Sequence, residues 1–400
     1  MIPAPPPTDV YEVIIMTERK TPHFNPLIFL ASLGAGGVAV MPFVLMQYSI
    51  EHGKGLITRS QLWAGTQTAL QNALYVSFEG VMVAFAALHI ILTIAFLSKL
   101  IPWLGSKEYK SLAGDPLKNA ALLAPFISIT MSMNVFIGPI RYFVPFFQEN
   151  FQAMMAPALI GWSAIFVALM VVEVLLLGVS FRKGFDIDRI HFGWLLHPFA
   201  LGMVSVVGSG IAAMAKAPGI ANTAAFLTLI SATMGLFLLV VKMIVLFKSH
   251  FKATGLPAKQ FLPSFLIVIP NITLFAITAF RLGHYLHNQH GVHMGPYYFL
   301  VVGLSFAFEI WYMLFGLTLL VDYFRNHHFR EFYVTQWGFI CPLVAFAVLG
   351  SFAYKIVLMS PVIYGLILVT MAVTVLFYLE LLQKHWRCTS NAAKGIACDA

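Results

Sequence analysis

Charged residues are scarce in this sequence. Asp, Glu, Lys and Arg together make up 10% of its 400 residues, whereas hydrophobic residues make up 60%, and the mean hydropathy is +0.84. Soluble domains carry roughly 25% charged residues and are less apolar overall. The shortage of charge therefore excludes a water-soluble globular protein, and it makes lipid the solvent for most of the chain.

Cysteine motifs and the common enzyme motifs are also missing. The three cysteines (Cys341, Cys388 and Cys398) include no Cys-x-x-Cys pair of the kind found in redox and haem-attachment sites. The sequence contains no His-Glu-x-x-His and no phosphate-binding Gly-Lys-Ser/Thr loop. It therefore predicts a protein that is not an enzyme and that, if it transports a solute, does so passively or with an ion gradient.

Long apolar runs dominate what remains. A helix of about 20 apolar residues crosses a bilayer, and a backbone in hydrocarbon must satisfy its own hydrogen bonds. The fold class is therefore all-α integral membrane, with a ten-helix transmembrane domain over residues 27–384 between an N-terminal tail (1–26) and a disordered C-terminal tail (385–400). The ten helices are expected near 27–49, 75–103, 117–137, 154–181, 191–215, 222–247, 261–284, 296–321, 332–356 and 359–383.

The distribution of basic residues predicts the orientation. With ten spans, both termini lie on one side of the membrane, and most of the 24 Lys and Arg residues fall on that side. By the positive-inside rule that side is cytoplasmic, in a plasma membrane such as a bacterial inner membrane. The net charge of +8 is thereby explained without a nucleic-acid partner. The six basic residues on the other side are Lys54, Arg59, Arg141, Lys216, Arg281 and Lys355.

Prolines divide the ten helices into two sets. The odd-numbered helices carry proline in their apolar body, whereas the even-numbered helices carry it only near their ends. An interior proline kinks a helix, and such helices suit a packed bundle or a cavity wall better than a lipid-facing position. We expect five hairpins around a quasi-fivefold central pore, with the odd-numbered helices inside, although proline is also simply frequent in membrane helices. The interior prolines are Pro42, Pro125, Pro198, Pro270 and Pro342.

Polar residues inside the apolar runs follow the same division. The ionisable ones (Glu79, Glu173, Lys242 and Glu309) fall on even-numbered helices, where structural pairing or snorkelling is favoured. The odd-numbered helices carry neutral polar groups, which suit weak binding and fast release of anions. Arg281, at the outer end of the seventh helix, either attracts anions to the pore mouth or anchors the helix. The predicted pore-lining residues are Ser128, Ser205, Asn271 and Thr273, with Asn134 and other hydroxyl residues beside them.

Histidines support an alternative function. His89, His197 and His284 could be axial ligands of haem b in a membrane redox subunit that binds haem or quinone. No repeated histidine spacing fixes a ligand pair, and a single histidine on an apolar helix is usually satisfied by a neighbouring hydroxyl or carbonyl. His284 also belongs to an outer-loop group with His287, His290 and His293, which could bind a metal, sense pH or be a solvated loop; no metal site is predicted.

Three segments resemble the tellurite-resistance/dicarboxylate transporter family, which includes the slow anion channels of plant guard cells. Residues 115–117 (Asp-Pro-Leu) through Pro125 and Phe126 resemble that family's third helix. Residues 194–198 (Trp-Leu-Leu-His-Pro) resemble the start of its fifth helix, and residues 336–342 (Gln-Trp-Gly-Phe-Ile-Cys-Pro) resemble its ninth. The likeness extends from about residue 26 to residue 383.

The resemblance implies a homotrimer in which each subunit has its own pore for small anions. The expected solutes are chloride, nitrate, sulfur oxyanions or C4-dicarboxylates. The family's occluding phenylalanine precedes the Pro/Gly of the ninth helix, next to Pro342, and this sequence has Cys341 there. Because a thiol is smaller than a phenyl ring, the pore is less occluded or another aromatic residue closes it, with Phe126, Phe199 and Phe339 as candidates.

Overall fold

Ten membrane-spanning helices make up most of the structure, a computed structural model that describes residues 24–252 and 255–393. The all-α membrane fold and the number of spans are thus as predicted. Numbered α1 to α10 in chain order, the helices cover Pro26–Ser49, Ala69–Trp103, Asn119–Phe143, Met155–Arg182, Phe192–Met214, Pro218–Lys252, Lys259–His290, Gly295–His328, Val334–Ile356 and Pro361–Ser390.

The helices alternate between buried and exposed positions along the chain. In the most apolar 18-residue stretch of each odd-numbered helix, between 56% and 100% of the residues are buried, against 22% to 39% in the even-numbered helices. A helix that is apolar all round and also buried belongs in the middle of a bundle. The odd-numbered helices therefore form an inner ring and the even-numbered helices an outer ring, which confirms the predicted division.

Contacts between neighbouring helices close the inner ring. Each inner helix contacts the next one along the chain, from α1 through α3, α5 and α7 to α9, and α9 contacts α1. Each outer helix packs on its own hairpin partner and also on the following inner helix, so that α2 bridges α1 and α3 and α10 bridges α9 and α1. The five hairpins thus interlock around the central axis.

The inner-helix prolines act differently from the kinks predicted. Only Pro42 lies inside a continuous α-helical stretch, in α1. The other four stand within the first three residues after a 3-10 segment gives way to α-helix, as Pro125 does in α3 and Pro342 in α9. The first turn of a helix has N–H groups without intrahelical partners, so proline costs no hydrogen bond there. These prolines start the α-helical part of an inner helix rather than bending it.

Two helix ends differ from the prediction for identifiable reasons. The helix of α2 begins at Ala69, six residues before the predicted start, because Thr68 and Gln71 form a capping box. The last helix continues to Ala393, so residues 385–393, predicted to begin a disordered tail, are helical. His385 anchors this extension, since its ring lies 5.4 Å from that of Phe332. The predicted tail residues 1–23 and 394–400 lie outside the described part of the chain.

Candidate functional site

The inner ring encloses a central cavity of about 100 Å³. All five inner helices contribute to its wall, and no residue of an outer helix does. Since one water occupies roughly 10–15 Å³ of such volume, the cavity has room for several waters or a small ion. The lining residues are Leu33, Gly34, Gly37, Val40, Val44, Met131, Asn134, Phe199, Met203, Val206, Pro270, Thr273, Leu274, Ile277, Arg281, Cys341, Val344, Ala345, Val348 and Phe352.

Arg281 is the single charged side chain in this lining. Its Nη1 donates a hydrogen bond to the carbonyl oxygen of Val206 on α5, at 2.8 Å. Among the described residues no carboxylate forms an ion pair with it. A guanidinium carries five N–H donors, so most of its capacity is left for other partners. The wall is therefore mostly apolar, with the neutral polar residues Asn134 and Thr273 and one localised positive charge.

The sequence of α7 places Arg281 in the lining. Residues 270, 273, 274, 277 and 281 follow the 3.6-residue helical repeat and share one face of the helix. Space for the guanidinium comes from α5, where a Cβ atom added to Gly210 would lie 3.1 Å from Arg281 Nη1. A larger residue at position 210 would therefore push the arginine out of place.

A close approach of α1 and α9 shapes the opposite wall. A Cβ atom on Gly37 would lie 2.9 Å from a methyl carbon of Val344. Glycine at this position lets the Val344 side chain pack directly against the backbone of α1, which is the usual role of small residues between membrane helices. Gly37 and Val344 both line the cavity, as does Cys341.

The predicted gate residues fall into two groups. Phe199 and Cys341 line the cavity. Phe126 and Pro342 are not among the lining residues, and neither is Phe339, which packs between α8, α9 and α10. Phe339 ends the 3-10 segment that precedes the α-helix of α9, and from there its ring meets an aromatic cluster. The cluster partners are Tyr323, Phe324, His328 and Phe377, with ring centroids 5.2–6.0 Å away.

One lining aromatic residue was not predicted. Phe352 lines the cavity and is held by other rings, with its centroid 4.2 Å from Tyr48 and 5.1 Å from Phe280. Phe199 has no such ring contact within the described chain. The only sequence signal for Phe352 is its place three helical turns after Cys341 on the same helix.

Of the predicted polar lining residues, only Thr273 reaches the cavity. Ser128 hydrogen-bonds to Ser32 on α1 instead, and Ser205 bonds to Ser231 on α6 at 2.8 Å. The Asn271 Nδ2 donates to the carbonyl oxygen of Ile267 at 2.8 Å. These three groups join helices or cap backbone, as polar side chains between membrane helices commonly do. Asn134, from the wider set of polar residues, does line the cavity.

The ionisable residues of the outer helices all make structural contacts, as expected. Glu79 on α2 accepts hydrogen bonds from Arg59, Trp63 and Tyr142. Three further contacts point from an outer helix to an inner one. The Glu173 carboxylate lies 2.6 Å from His197 Nδ1, Lys242 Nζ donates to the Trp194 carbonyl at 3.1 Å, and Glu309 accepts from Thr273. None of the four lines the cavity.

The three histidines proposed as haem ligands each contact other residues of the described chain. His89 Nδ1 lies 2.7 Å from the Ser32 carbonyl oxygen and its Nε2 lies 2.8 Å from Ser132 Oγ, so both ring nitrogens are engaged. His197 bonds to Glu173 and His284 stacks on Tyr298, with centroids 4.7 Å apart. Nothing in these arrangements supports the redox alternative.

Comparison with known protein families matches residues 23–385 to the family described as voltage-dependent anion channel. A comparison with curated proteins found no match. The matched range covers all of α1 to α9 and most of α10, including the whole cavity lining. It confirms the resemblance seen in the sequence to the tellurite-resistance/dicarboxylate transporter type. The chain belongs to the voltage-dependent anion channel family, whose members are membrane anion channels and transporters rather than enzymes.

Proposed function

We propose that this member of the voltage-dependent anion channel family passes small inorganic anions through the central cavity, with Arg281 as the attracting charge. The observation that carries the proposal is a single cation in a mostly apolar wall, with no carboxylate of the described residues paired to it. A fixed charge in a site with low-dielectric walls concentrates ions of opposite sign and raises their entry rate by about 10- to 1,000-fold. The cavity therefore favours anions over cations and neutral solutes.

Size and charge favour the smaller expected solutes. Chloride and nitrate match a cavity of about 100 Å³ that offers one positive charge. A C4-dicarboxylate has two carboxylates at opposite ends of a carbon chain, and the second would face apolar side chains. Burying an unpaired charge in such surroundings is strongly unfavourable. We therefore expect sulfur oxyanions and dicarboxylates to pass through the cavity more slowly than monovalent inorganic anions.

Phe199 is the side chain best suited to open and close the path. It lies in the lining on α5, and no aromatic ring of residues 24–252 or 255–393 contacts its ring. Phe352, by contrast, is fixed against Tyr48 and Phe280. With Cys341 at the position where the resemblance led us to expect the occluding ring, we assign the movable ring to Phe199 and the fixed part of the narrow region to Cys341 and Phe352.

The family resemblance and the charge distribution support a proposal for the assembly and the orientation. We propose a homotrimer in a plasma membrane, such as a bacterial inner membrane, with both termini cytoplasmic. The distribution of Lys and Arg over the loops supports the orientation. The largely exposed apolar surfaces of the outer helices provide lipid-facing and subunit-facing area.

Flux measurements on reconstituted vesicles test the proposal. We expect chloride and nitrate to pass faster than sulfite, thiosulfate or malate, and Arg281→Gln to reduce chloride flux by roughly tenfold or more. Lys216→Gln is the matched control, because Lys216 is an exposed cation on the same side of the membrane and does not line the cavity. Equal flux in the two variants would show that Arg281 does not contribute to the anion path.

A further inference from the structure

A second cavity lies on the outside of the helix bundle, between α3 and α4. Its volume is about 450 Å³, and it extends along the helices towards the loop that joins them. The lining is apolar apart from Ser132 and Arg141. It includes Met133 and Phe136 of α3 and Ile165 of α4. This groove is separate from the central cavity, with which it shares no lining residue.

Arg141 is buried in the groove without a matching anion. Its exposed fraction is 7%. Nη1 donates one long hydrogen bond, at 3.4 Å, to the Leu56 carbonyl oxygen, and the guanidinium carbon lies 4.9 Å from the centre of the Phe151 ring. Nε is buried and has no hydrogen-bond partner. No carboxylate of the described chain pairs with it.

Such an arrangement is costly unless an anion completes it. Buried charges are normally paired, and a guanidinium presents its donors in a planar fork that matches the oxygens of a phosphate or carboxylate. Residues 24–252 and 255–393 provide the guanidinium but no carboxylate to pair with it. A bound molecule that carries an anionic group would complete the site.

The depth of Arg141 in the membrane identifies the kind of anion. Arg141 lies two residues before the end of α3 at Phe143, so it is level with the edge of the spanning region. Lipid phosphates lie at this depth, at the boundary of the hydrocarbon core. The apolar part of the groove runs from there along Phe136 and Met133 towards the membrane interior.

The regular α-helix of α3 is interrupted at this level. Residues 136–140 form a π-helical turn that contains Pro139, and Phe136 and Ile137 of this turn line the groove. Single π-helical turns inside α-helices occur frequently at functional sites. The turn moves the end of α3 out of the regular helical register and brings Arg141 to the head of the groove.

We infer that the groove between α3 and α4 binds a phospholipid, with one acyl chain along its apolar wall and the phosphate on Arg141. Charge complementarity favours this occupant over a second copy of the chain, which would have to bring a buried carboxylate to the same depth. A free phosphate ion would satisfy Arg141 but would leave the apolar wall uncovered. The site thus matches a molecule that has both parts.

Gly161 provides a way to fill the groove without disturbing the protein. It lines the groove on α4, and a Cβ atom added there would meet no atom within 4 Å. Gly161→Leu should therefore place an apolar side chain where the acyl chain lies. Gly80→Leu on α2 is the matched control, since Gly80 is also an exposed helical glycine with open space around it and lies outside the groove.

Native mass spectrometry of the full-length protein, purified in mild detergent and mixed with dioleoyl-phosphatidylglycerol, tests the inference. We expect the wild type and Gly80→Leu to retain the lipid. Arg141→Gln should retain about tenfold less, as the loss of a charge-assisted hydrogen bond implies, and Gly161→Leu should retain less because its side chain fills the acyl-chain groove. Dioleoylglycerol, which has the same chains without phosphate, should compete weakly with the wild type. The elution volume and helical circular dichroism of each variant establish that it is folded.

Three results would overturn the inference. Equal lipid retention by the wild type, Arg141→Gln and Gly161→Leu would show that the groove is not the binding site. Equal competition by dioleoylglycerol would remove the phosphate from the interaction. A change of oligomeric mass in Gly161→Leu with lipid retention unchanged would assign the groove to a subunit interface instead.

Discussion

The Thr273 hydroxyl on α7 donates a hydrogen bond to the Glu309 carboxylate on α8. Thr273 lines the central cavity, whereas Glu309 is fully buried behind it and its second oxygen, Oε2, has no partner. The contact therefore connects the wall of the anion path to the outer ring. It is also the one hydrogen bond that Glu309 makes within the described chain.

Thr273→Val should destabilise the protein by about 1–3 kcal/mol, because it leaves the buried Glu309 without any hydrogen bond. Thr278→Val on the same helix is the control, since the Thr278 hydroxyl is buried and already lacks a partner. That substitution should be close to neutral. Unfolding by SDS titration in mixed micelles measures both free energies. Equal losses for the two variants would contradict the role given to the Thr273–Glu309 bond.

Phe199→Ala should increase chloride flux, because it removes a ring from the cavity lining that makes no aromatic contact in the described part of the chain. Phe339→Ala should leave flux unchanged and lower stability by about 3–5 kcal/mol, since it deletes a ring from a buried cluster. Vesicle flux and unfolding measurements on both variants separate the two effects. If Phe339→Ala raised flux and Phe199→Ala did not, the gate would lie on α9 and not at Phe199.

Cys341→Phe should reduce anion flux and leave the protein assembled. The thiol lines the cavity, and a phenyl ring would occupy much of a volume of about 100 Å³. Cys341→Ser keeps the side chain small and should retain near wild-type flux. Size-exclusion chromatography checks assembly of both variants. Unchanged flux in Cys341→Phe would exclude Cys341 from the narrow part of the path.

Glu331 links the loop before α9 to the start of α7 and should make stability fall in acid. Its carboxylate lies 2.7 Å from Lys259 Nζ, and hydrogen bonds from Lys259 and Tyr333 hold the pKa of Glu331 below its usual value. A lowered pKa means that the stabilisation is complete above the unfolded value, near 4.5, and is lost as the pH falls through the folded value.

The measurement for Glu331 is the thermal midpoint at pH 3 and pH 6. Glu331→Gln should lower the midpoint at pH 6 and little at pH 3, so that the variant shows a smaller acid loss than the wild type. The comparison cancels the contribution of all other carboxylates. Parallel pH dependences in the two proteins would show that the Glu331 contacts contribute nothing.

The count of spans and the division into two rings could be predicted because each has a strong sequence signal. Length and hydropathy identify a span without reference to its neighbours. The prolines marked the inner helices correctly even though their role was misread. Pro125 and Pro342 stand where a 3-10 segment becomes α-helix, which is a local transition that apolar sequence does not reveal.

The lining of the cavity was harder to predict than the ring that forms it. An inner helix is apolar on all sides, since it faces other helices where a soluble helix would face water. The sequence therefore has no amphipathic pattern to show which side of α5 carries Ser205 and which carries Phe199. Ser205 and Asn271 proved to bond between helices or to backbone, whereas Thr273 reaches the cavity. Whether a polar side chain faces the cavity or a neighbouring helix depends on the rotation of its helix about the helix axis. The packing of the helices sets that rotation.

The bridging position of α10 has a consequence for biosynthesis. The Tyr378 hydroxyl on α10 donates to the Ala31 carbonyl oxygen on α1, at 2.9 Å, across 347 residues of sequence. This contact of the first hairpin can therefore form only after the last hairpin has left the ribosome and the insertion machinery. A nascent chain that stops after α9 can form all five contacts of the inner ring, but it lacks the outer helix that packs over both α9 and α1. Insertion of α10 is then the step that covers this seam on its lipid side, and a chain truncated before α10 would expose the seam between α9 and α1 to lipid.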